Sequence, residues 1–426
     1  MTVFVFIASL LAAMALGMPL AFSLIVSGVA LMLHLDNFDT QIVSQNLING
    51  ADNFPLMAVP FFMLAGELMN AGGMSRRIVN SALVWVGHFK GGLGYVAVFA
   101  AIIMASLSGS AVADTAALAA VLMPMMREAG YRMDRSAGLI AAGGIIAPVI
   151  PPSIGFILFG VIGGVSISKL FMAGIFPGIL MGVALLITWW IVARKDDVKV
   201  SARVPMKEKV RVTIDAFWCY LLALTIIGGM KMGIFTPTEA AVVAVVYSLL
   251  IGLFVYREIK FKDLYGIILA AAKTSSVVMF LVAAALVSAW LITIANIPAQ
   301  VVDMLRPFID NPTLLMVMLM LMVLIVGTAL DFAPTVLILT PVLMPLVREA
   351  GINPVYFGVL FIINNAIGLL TPPVGTVLNV VCGVGRIPMH EVIRGVMPFL
   401  ISQVIVMGLL VAFPILVMGP LKWLSS

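Results

Sequence analysis

The chain reads as a succession of apolar runs, several of them cut short where a helix would otherwise continue. Thr2 to Ala15 and Pro19 to Leu33 are the first two, parted by Gly17-Met18-Pro19. Asp36, Asp39 and Asp52 follow in a stretch that reads as a loop. Phe54 to Val86 is a third apolar segment, interrupted near Gly66-Glu67 and Gly72-Gly73. Leu93 to Leu107 is apolar for only about 15 residues, where a spanning helix needs about 20. Ser106-Leu107-Ser108-Gly109-Ser110 and a second short run, Ala111 to Met126, come next. Two half-length helices meeting at a Ser/Gly tip predict a re-entrant hairpin, and Arg127, Arg132 and Arg135 mark its exit. Ser136 to Ile146 then begins a helix that Ala147-Pro148-Val149-Ile150-Pro151-Pro152 stops. Proline has no amide proton and disfavours helical geometry in the residue before it. Apolar sequence resumes from Ser153 to Val165, so this is one helix broken within the membrane. Leu170 to Val192 crosses back.

The pattern occurs twice. Leu122-Met123-Pro124-Met125-Met126-Arg127-Glu128-Ala129-Gly130 returns as Leu343-Met344-Pro345-Leu346-Val347-Arg348-Glu349-Ala350-Gly351, an offset of 343 − 122 = 221 residues. Pro151-Pro152 and Pro177 recur at that offset as Pro372-Pro373 and Pro398. Two opening helices, a third, the broken helix and the return helix make five crossings, so a second copy must start on the other side and be inverted. The expected division is a first repeat over 1–194 with hairpin 93–126 and broken helix 136–165. A basic cytoplasmic amphipathic arm over 195–212 follows, then a second repeat over 213–426 with hairpin 314–346 and broken helix 355–386. The fold class is all-α and polytopic, with ten crossings and two hairpins.

Composition makes lipid the solvent. Hydrophobic residues are 63% of the 426 and charged residues 10%, against about half and a quarter in soluble domains. The net charge of +5 is gathered in short loops, which is positive-inside topology and gives no sign of nucleic-acid binding. Arg194, Lys195, Lys199, Arg203, Lys207, Lys209 and Arg211 make the most basic loop, expected in the cytoplasm. The N-terminus lacks a basic region before its apolar run, so no cleaved signal peptide is expected. Cys219, Cys382 and the three histidines show no disulfide or metal spacing. No enzyme motif stands out, and the repeat itself argues against an intramembrane enzyme or a channel.

Backbone that leaves the helix inside a bilayer exposes amides and carbonyls, each costing several kcal/mol unless satisfied. Such breaks can offer the oxygens an alkali cation needs. Ser106, Ser108, Val149 and Pro151 form one candidate sodium site, and Gly327, Thr328, Gly368 and Thr371 the other. Asp331 stands at the second tip where Ser110 stands at the first, since 110 + 221 = 331. A carboxylate at such depth marks a pathway or a partner. It could meet substrate, hold a cation, accept the proton of a proton-coupled carrier of the same fold, or simply cap the next helix. Ser110, Ser153 and Ser166 are candidate substrate contacts, with bonding back to their own helices as the plain alternative. Asp114 could also sit near the first tip, with capping or a structural hydrogen bond at least as ready an account; Glu67 is similar, Glu239 reads as structural, and Arg127 and Arg348 read as snorkelling side chains.

Ser108-Gly109-Ser110-Ala111-Val112-Ala113-Asp114-Thr115, the paired Met-Pro-x-x-Arg-Glu-Ala-Gly and Ile150-Pro151-Pro152-Ser153 carry a resemblance that covers essentially the whole chain. It resembles the large membrane subunit of tripartite ATP-independent periplasmic (TRAP) transporters, within the ion-transporter superfamily of elevator carriers. The resemblance implies a bacterial inner-membrane, sodium-driven importer of organic acids, sialic acid ahead of a C4-dicarboxylate. It implies two partners, a small membrane subunit supplied as a separate chain and a soluble periplasmic substrate-binding protein. Substrate contacts then fall near Ser110, Ser153, Ser166 and Asp331, and sodium sites on the tips and breaks named above.

Overall fold

The computed structural model describes residues 2–36, 38–194, 203–297, 299–300, 303, 308–309, 311–372 and 374–425, and every regular element among them is helical. Lys195 and Lys199 of the basic arm and Pro373 of the second break lie outside the described residues. The opening helices are α1 (Thr2–Ala15) and α2 (Leu20–His34). The stretch read as a loop holds a helix, α3 (Thr40–Ala51), because the Asp39 carboxylate accepts the free amide of Gln41 and starts it. The third segment is α4 (Ala58–Ala71) and α5 (Met74–Val86). It continues unbroken through Gly66-Glu67 and turns at Gly72-Gly73, where Gly73 takes φ 70°.

The first hairpin is α6 (Gly92–Ser108) and α7 (Ala111–Glu128); the first broken helix is α8 (Met133–Gly144) and α9 (Ile154–Gly163); α10 (Ile167–Ala193) returns. After α11 (Met206–Asp215), α12 (Phe217–Lys231), α13 (Pro237–Leu250) and the long α14 (Leu264–Ile294), the second hairpin follows as α15 (Pro312–Ala329) and α16 (Phe332–Glu349). Its broken helix is α17 (Pro354–Gly368) and α18 (Thr376–Gly385), with α19 (Met389–Ala412) and α20 (Ile415–Ser425) closing the chain. α7 and α16 begin and end at the same 221-residue offset, from 111 to 332 and from 128 to 349.

The two halves are packed through each other. α7 lies along α18 while its counterpart α16 lies along α9, and α2 packs on α14 while α13 packs on α4. α8 and α19 touch backbone to backbone, since a Cβ on Gly138 would fall 2.5 Å from the Gly395 carbonyl. Small residues permit such approach where lipid removes the usual hydrophobic drive between helices. Helix α5 and the arm helix α11 are joined by Trp85 Nε1 donating to Thr213 Oγ1 at 2.9 Å and by Arg77 pairing with Asp215 at 3.1 Å. The arm's helix thus runs past its expected end at 212.

Among the described residues seven helices are long and apolar enough to cross alone, or eight if α11 and α12, bent by 51°, count as one. The ten crossings expected need shorter pieces: α1 has 14 residues, α2 has 15, and α8 and α9 have 12 and 10. The first hairpin's legs, read as half-length, have 17 and 18 residues, and the second hairpin's have 18 each, about 27 Å of helix.

Candidate functional site

At the first tip Gly109 takes φ 63° and ends α6. A Cβ there would fall 2.4 Å from the Pro152 carbonyl oxygen, so tip and proline break are in direct contact. Ser110 starts α7 by accepting the Ala113 amide at 3.4 Å, and its own amide donates to Ser108 Oγ at 3.2 Å. The Ser108 hydroxyl donates to Asp114 Oδ1. Asp114 is fully buried, 2% exposed, and its Oδ2 has no hydrogen-bond partner among the described residues; nor has Thr115 Oγ1 beside it. Ser106, also buried, donates to the Ile103 carbonyl at 2.6 Å. Pro151 sits buried in the break, joined to Pro152 by a cis peptide. The Val149 carbonyl points at α10, where a Cβ on Gly174 would come within 2.4 Å of it.

The second tip is built on the same plan with other groups. Gly327 and Gly368 touch through their backbones, a Cβ on Gly368 meeting the Gly327 carbonyl oxygen at 2.9 Å. Asn365 reaches into this contact from α17: its Nδ2 donates to the Phe332 carbonyl at 2.9 Å, while its buried Oδ1 has no partner among the described residues. Thr328 and Thr371 donate to the carbonyls of Ile325 and Ile367, both at 2.8 Å. Asp331 is exposed, accepts the Phe332 amide at 2.8 Å as the cap of α16, and accepts Thr376 Oγ1 at 3.4 Å from the far side of the break.

The two tips converge. The Phe332 ring lies on Gly155, 2.6 Å from where its Cβ would be, which brings the second tip against the start of α9. Ser153 is buried there, its hydroxyl donating to the Pro148 carbonyl and accepting the Phe156 amide at 3.2 Å. Ser166 is elsewhere. It caps α10 beyond the far end of α9, about 15 Å of helix from Ser153. A cavity of about 80 Å3 opens beside the first tip, lined by Gly66, Glu67, Asn70, Ser108, Ser110 and Ile154.

The donor set is made of oxygen throughout, the class that hard cations take. A serine or threonine hydroxyl that donates to a carbonyl keeps its own lone pairs, so the back-bonded hydroxyls remain usable. Asp114 Oδ2, with Thr115 Oγ1 beside it, flanks the first tip and Asn365 Oδ1 the second, all buried and without a partner among the described residues. The residues present therefore fit a cation. Asp114 and Asn365 were not among the sodium ligands read from the sequence: the first was left open between the tip and a structural bond, and the second carried no signal beyond lying three residues before a glycine in an apolar run.

Arg127 and Arg348 also differ from expectation. Arg127 donates to the Gly385 carbonyl at 2.8 Å and Arg348 to the Gly163 carbonyl at 2.7 Å. Each arginine leaves one half's hairpin and caps the end of the other half's broken helix.

An all-helical, highly apolar chain whose hairpin tips close on broken helices, with polar groups held at the breaks, is a multi-pass membrane transport protein. Comparison with known proteins narrows this. Residues 7–416 match the family described as the tripartite ATP-independent periplasmic transporter, DctM component, and the chain belongs to that family. It is 55% identical over the whole of both chains to the 2,3-diketo-L-gulonate TRAP transporter large permease protein YiaN of Escherichia coli. It is 38% identical, over 93% of each chain, to the sialic acid permease SiaM of Vibrio cholerae. The C4-dicarboxylate permease DctM of Pseudomonas aeruginosa is 33% identical over 95% of this chain and 94% of its own. A crystal structure of the Alcanivorax borkumensis YdaH transporter has this fold, with a TM-score of 0.67 over 92% of this chain and 91% of that one at 15% identity. The chain is thus a transport permease of the inner membrane and not an enzyme, one component of a tripartite system served by a periplasmic binding protein.

Proposed function

We propose that this permease imports a six-carbon keto sugar acid in symport with sodium, by an elevator stroke of its two hairpins and two broken helices as inverted repeats. The observation that carries the coupling ion is the pair of partnerless buried oxygens, Asp114 Oδ2 and Asn365 Oδ1, one beside each tip. Bound sodium would supply positive charge for an anionic substrate. The chain's own part is to hold hydroxyls and break carbonyls around those oxygens, and to keep Asp331 and Ser110 at the tips facing the substrate. The substrate preference moves from sialic acid to a diketogulonate-like acid because the 55% relative is named for the latter and the sialic acid permease stands at 38%. A small membrane subunit and a soluble binding protein complete the system.

The test is uptake into proteoliposomes carrying both membrane subunits, with the cognate binding protein outside. A sodium gradient at fixed pH should drive uptake of the keto acid. Asp114→Asn and Asn365→Ala should each raise the sodium concentration for half-maximal uptake at least tenfold, the equivalent of about 1.4 kcal/mol, with the complex still assembled. Uptake driven by a proton gradient and indifferent to sodium would favour a proton-coupled carrier instead.

A further inference from the structure

A groove of about 660 Å3 runs between the α5–α6 corner and the end of α10, within the size range of pockets that hold small ligands. Val86, Phe89, Tyr95, Phe99, Leu186 and Trp190 form its walls, and Lys90 and Arg194 stand at one end. Three of its rings face outwards: Phe89 is 51% exposed, Trp190 48% and Phe99 39%. Rings so placed on a membrane protein meet lipid, with the amphipathic ones at headgroup level.

The cationic end is built. The Arg194 guanidinium lies 3.4 Å over the Trp190 ring, which uses its face and leaves its N–H edge. Lys90 Nζ donates to the Arg194 carbonyl at 3.3 Å, which accounts for one of its three protons. Neither cation is in an ion pair among the described residues. The corner is fixed behind them, because Trp189 Nε1 donates to the Gly91 carbonyl at 2.8 Å and stacks on Tyr131 at 6.2 Å. Arg135 reaches the same helix end, donating to the Val192 carbonyl at 3.4 Å. This concentration of positive charge assigns the end to the cytoplasmic side.

We infer that the groove binds one anionic phospholipid of the cytoplasmic leaflet, its phosphate between Lys90 and Arg194 and an acyl chain along Phe99 and Leu186. Basic pockets between transmembrane helices on that side have this chemistry. An inorganic anion would leave the apolar wall unused, and a purely apolar helix would bury two cations unpaired.

The purified full chain would be titrated with phosphatidylglycerol, and separately with phosphatidylcholine of the same acyl chains, and read by native mass spectrometry. One phosphatidylglycerol per chain is expected to be retained in preference to phosphatidylcholine. Lys90→Gln and Arg194→Gln, both on exposed side chains, should each weaken phosphatidylglycerol about fivefold. Trp190→Ala should weaken both lipids. Equal retention of the two lipids by the parent chain, or unchanged retention by the double glutamine variant, would overturn the assignment. So would displacement by millimolar inorganic phosphate, or loss of the bound lipid once the small subunit is added.

Discussion

Two arginines show how much a single side chain does here. Arg127 and Arg348 each give a charge-assisted hydrogen bond to the last carbonyls of a helix, where the backbone has no internal donor left. Such bonds are worth about 1.5–3 kcal/mol, helped by the negative end of the helix dipole. Arg127→Ala and Arg348→Ala should therefore destabilise the purified protein by similar amounts, measured as loss of thermal midpoint in detergent. A large effect from one and none from the other would break their equivalence. The motif holding both arginines was plain in the sequence, yet their partners lie 258 and 185 residues away. Local pattern offers snorkelling as the default for such residues, and only the packing reveals the acceptor. Asp114 stood open for a related reason: one of its oxygens accepts from Ser108, as a structural reading requires, while the other is buried without a partner among the described residues.

At the scale of elements the sequence was more informative. Prolines, glycines and the repeat offset marked the hairpins and breaks, because backbone geometry is what those residues control. The apolar run Leu264–Ile294 forms one unbroken helix, and Thr236 with Glu239 starts α13 as a capping box. Gly66 failed as a break, since a lone glycine within an apolar helix costs little when neighbours pack around it, whereas Gly73 needs a positive φ and does end its helix. The helix contact at Gly138 and Gly395 was invisible beforehand. Gly138→Leu should force α8 from α19 at a cost of about 1–3 kcal/mol and lower the yield of monodisperse protein on size exclusion. Gly383→Ala is the control, having nothing within 4 Å of the added carbon, and should leave yield unchanged.

For the whole molecule, the cavity beside the first tip limits what the described conformation admits. Its volume of about 80 Å3 falls short of the 300 Å3 or more that ligand pockets usually have. If the proposed keto acid binds beside this tip, α4 and α14, which line the cavity, must part from it. Met63 of α4 and Ala113 of α7 both line that cavity. In a background with Cys219 and Cys382 changed to alanine, Met63→Cys with Ala113→Cys joined by a short thiol cross-linker should abolish uptake, and reduction of a cleavable linker should restore it. Transport that persists with the linker in place would show that this cleft does not open.

The exchanged arginines set a limit on gearing. Each ties a hairpin from one half to a broken helix from the other, so the halves are yoked at both ends. In the proposed stroke, neither tip would complete a journey while its twin stayed behind. Under the proposed stroke, the cargo held at both tips is delivered in a single indivisible parcel, and the ratio of ions to substrate is set by the number of seats on the carriage rather than by the order in which they fill.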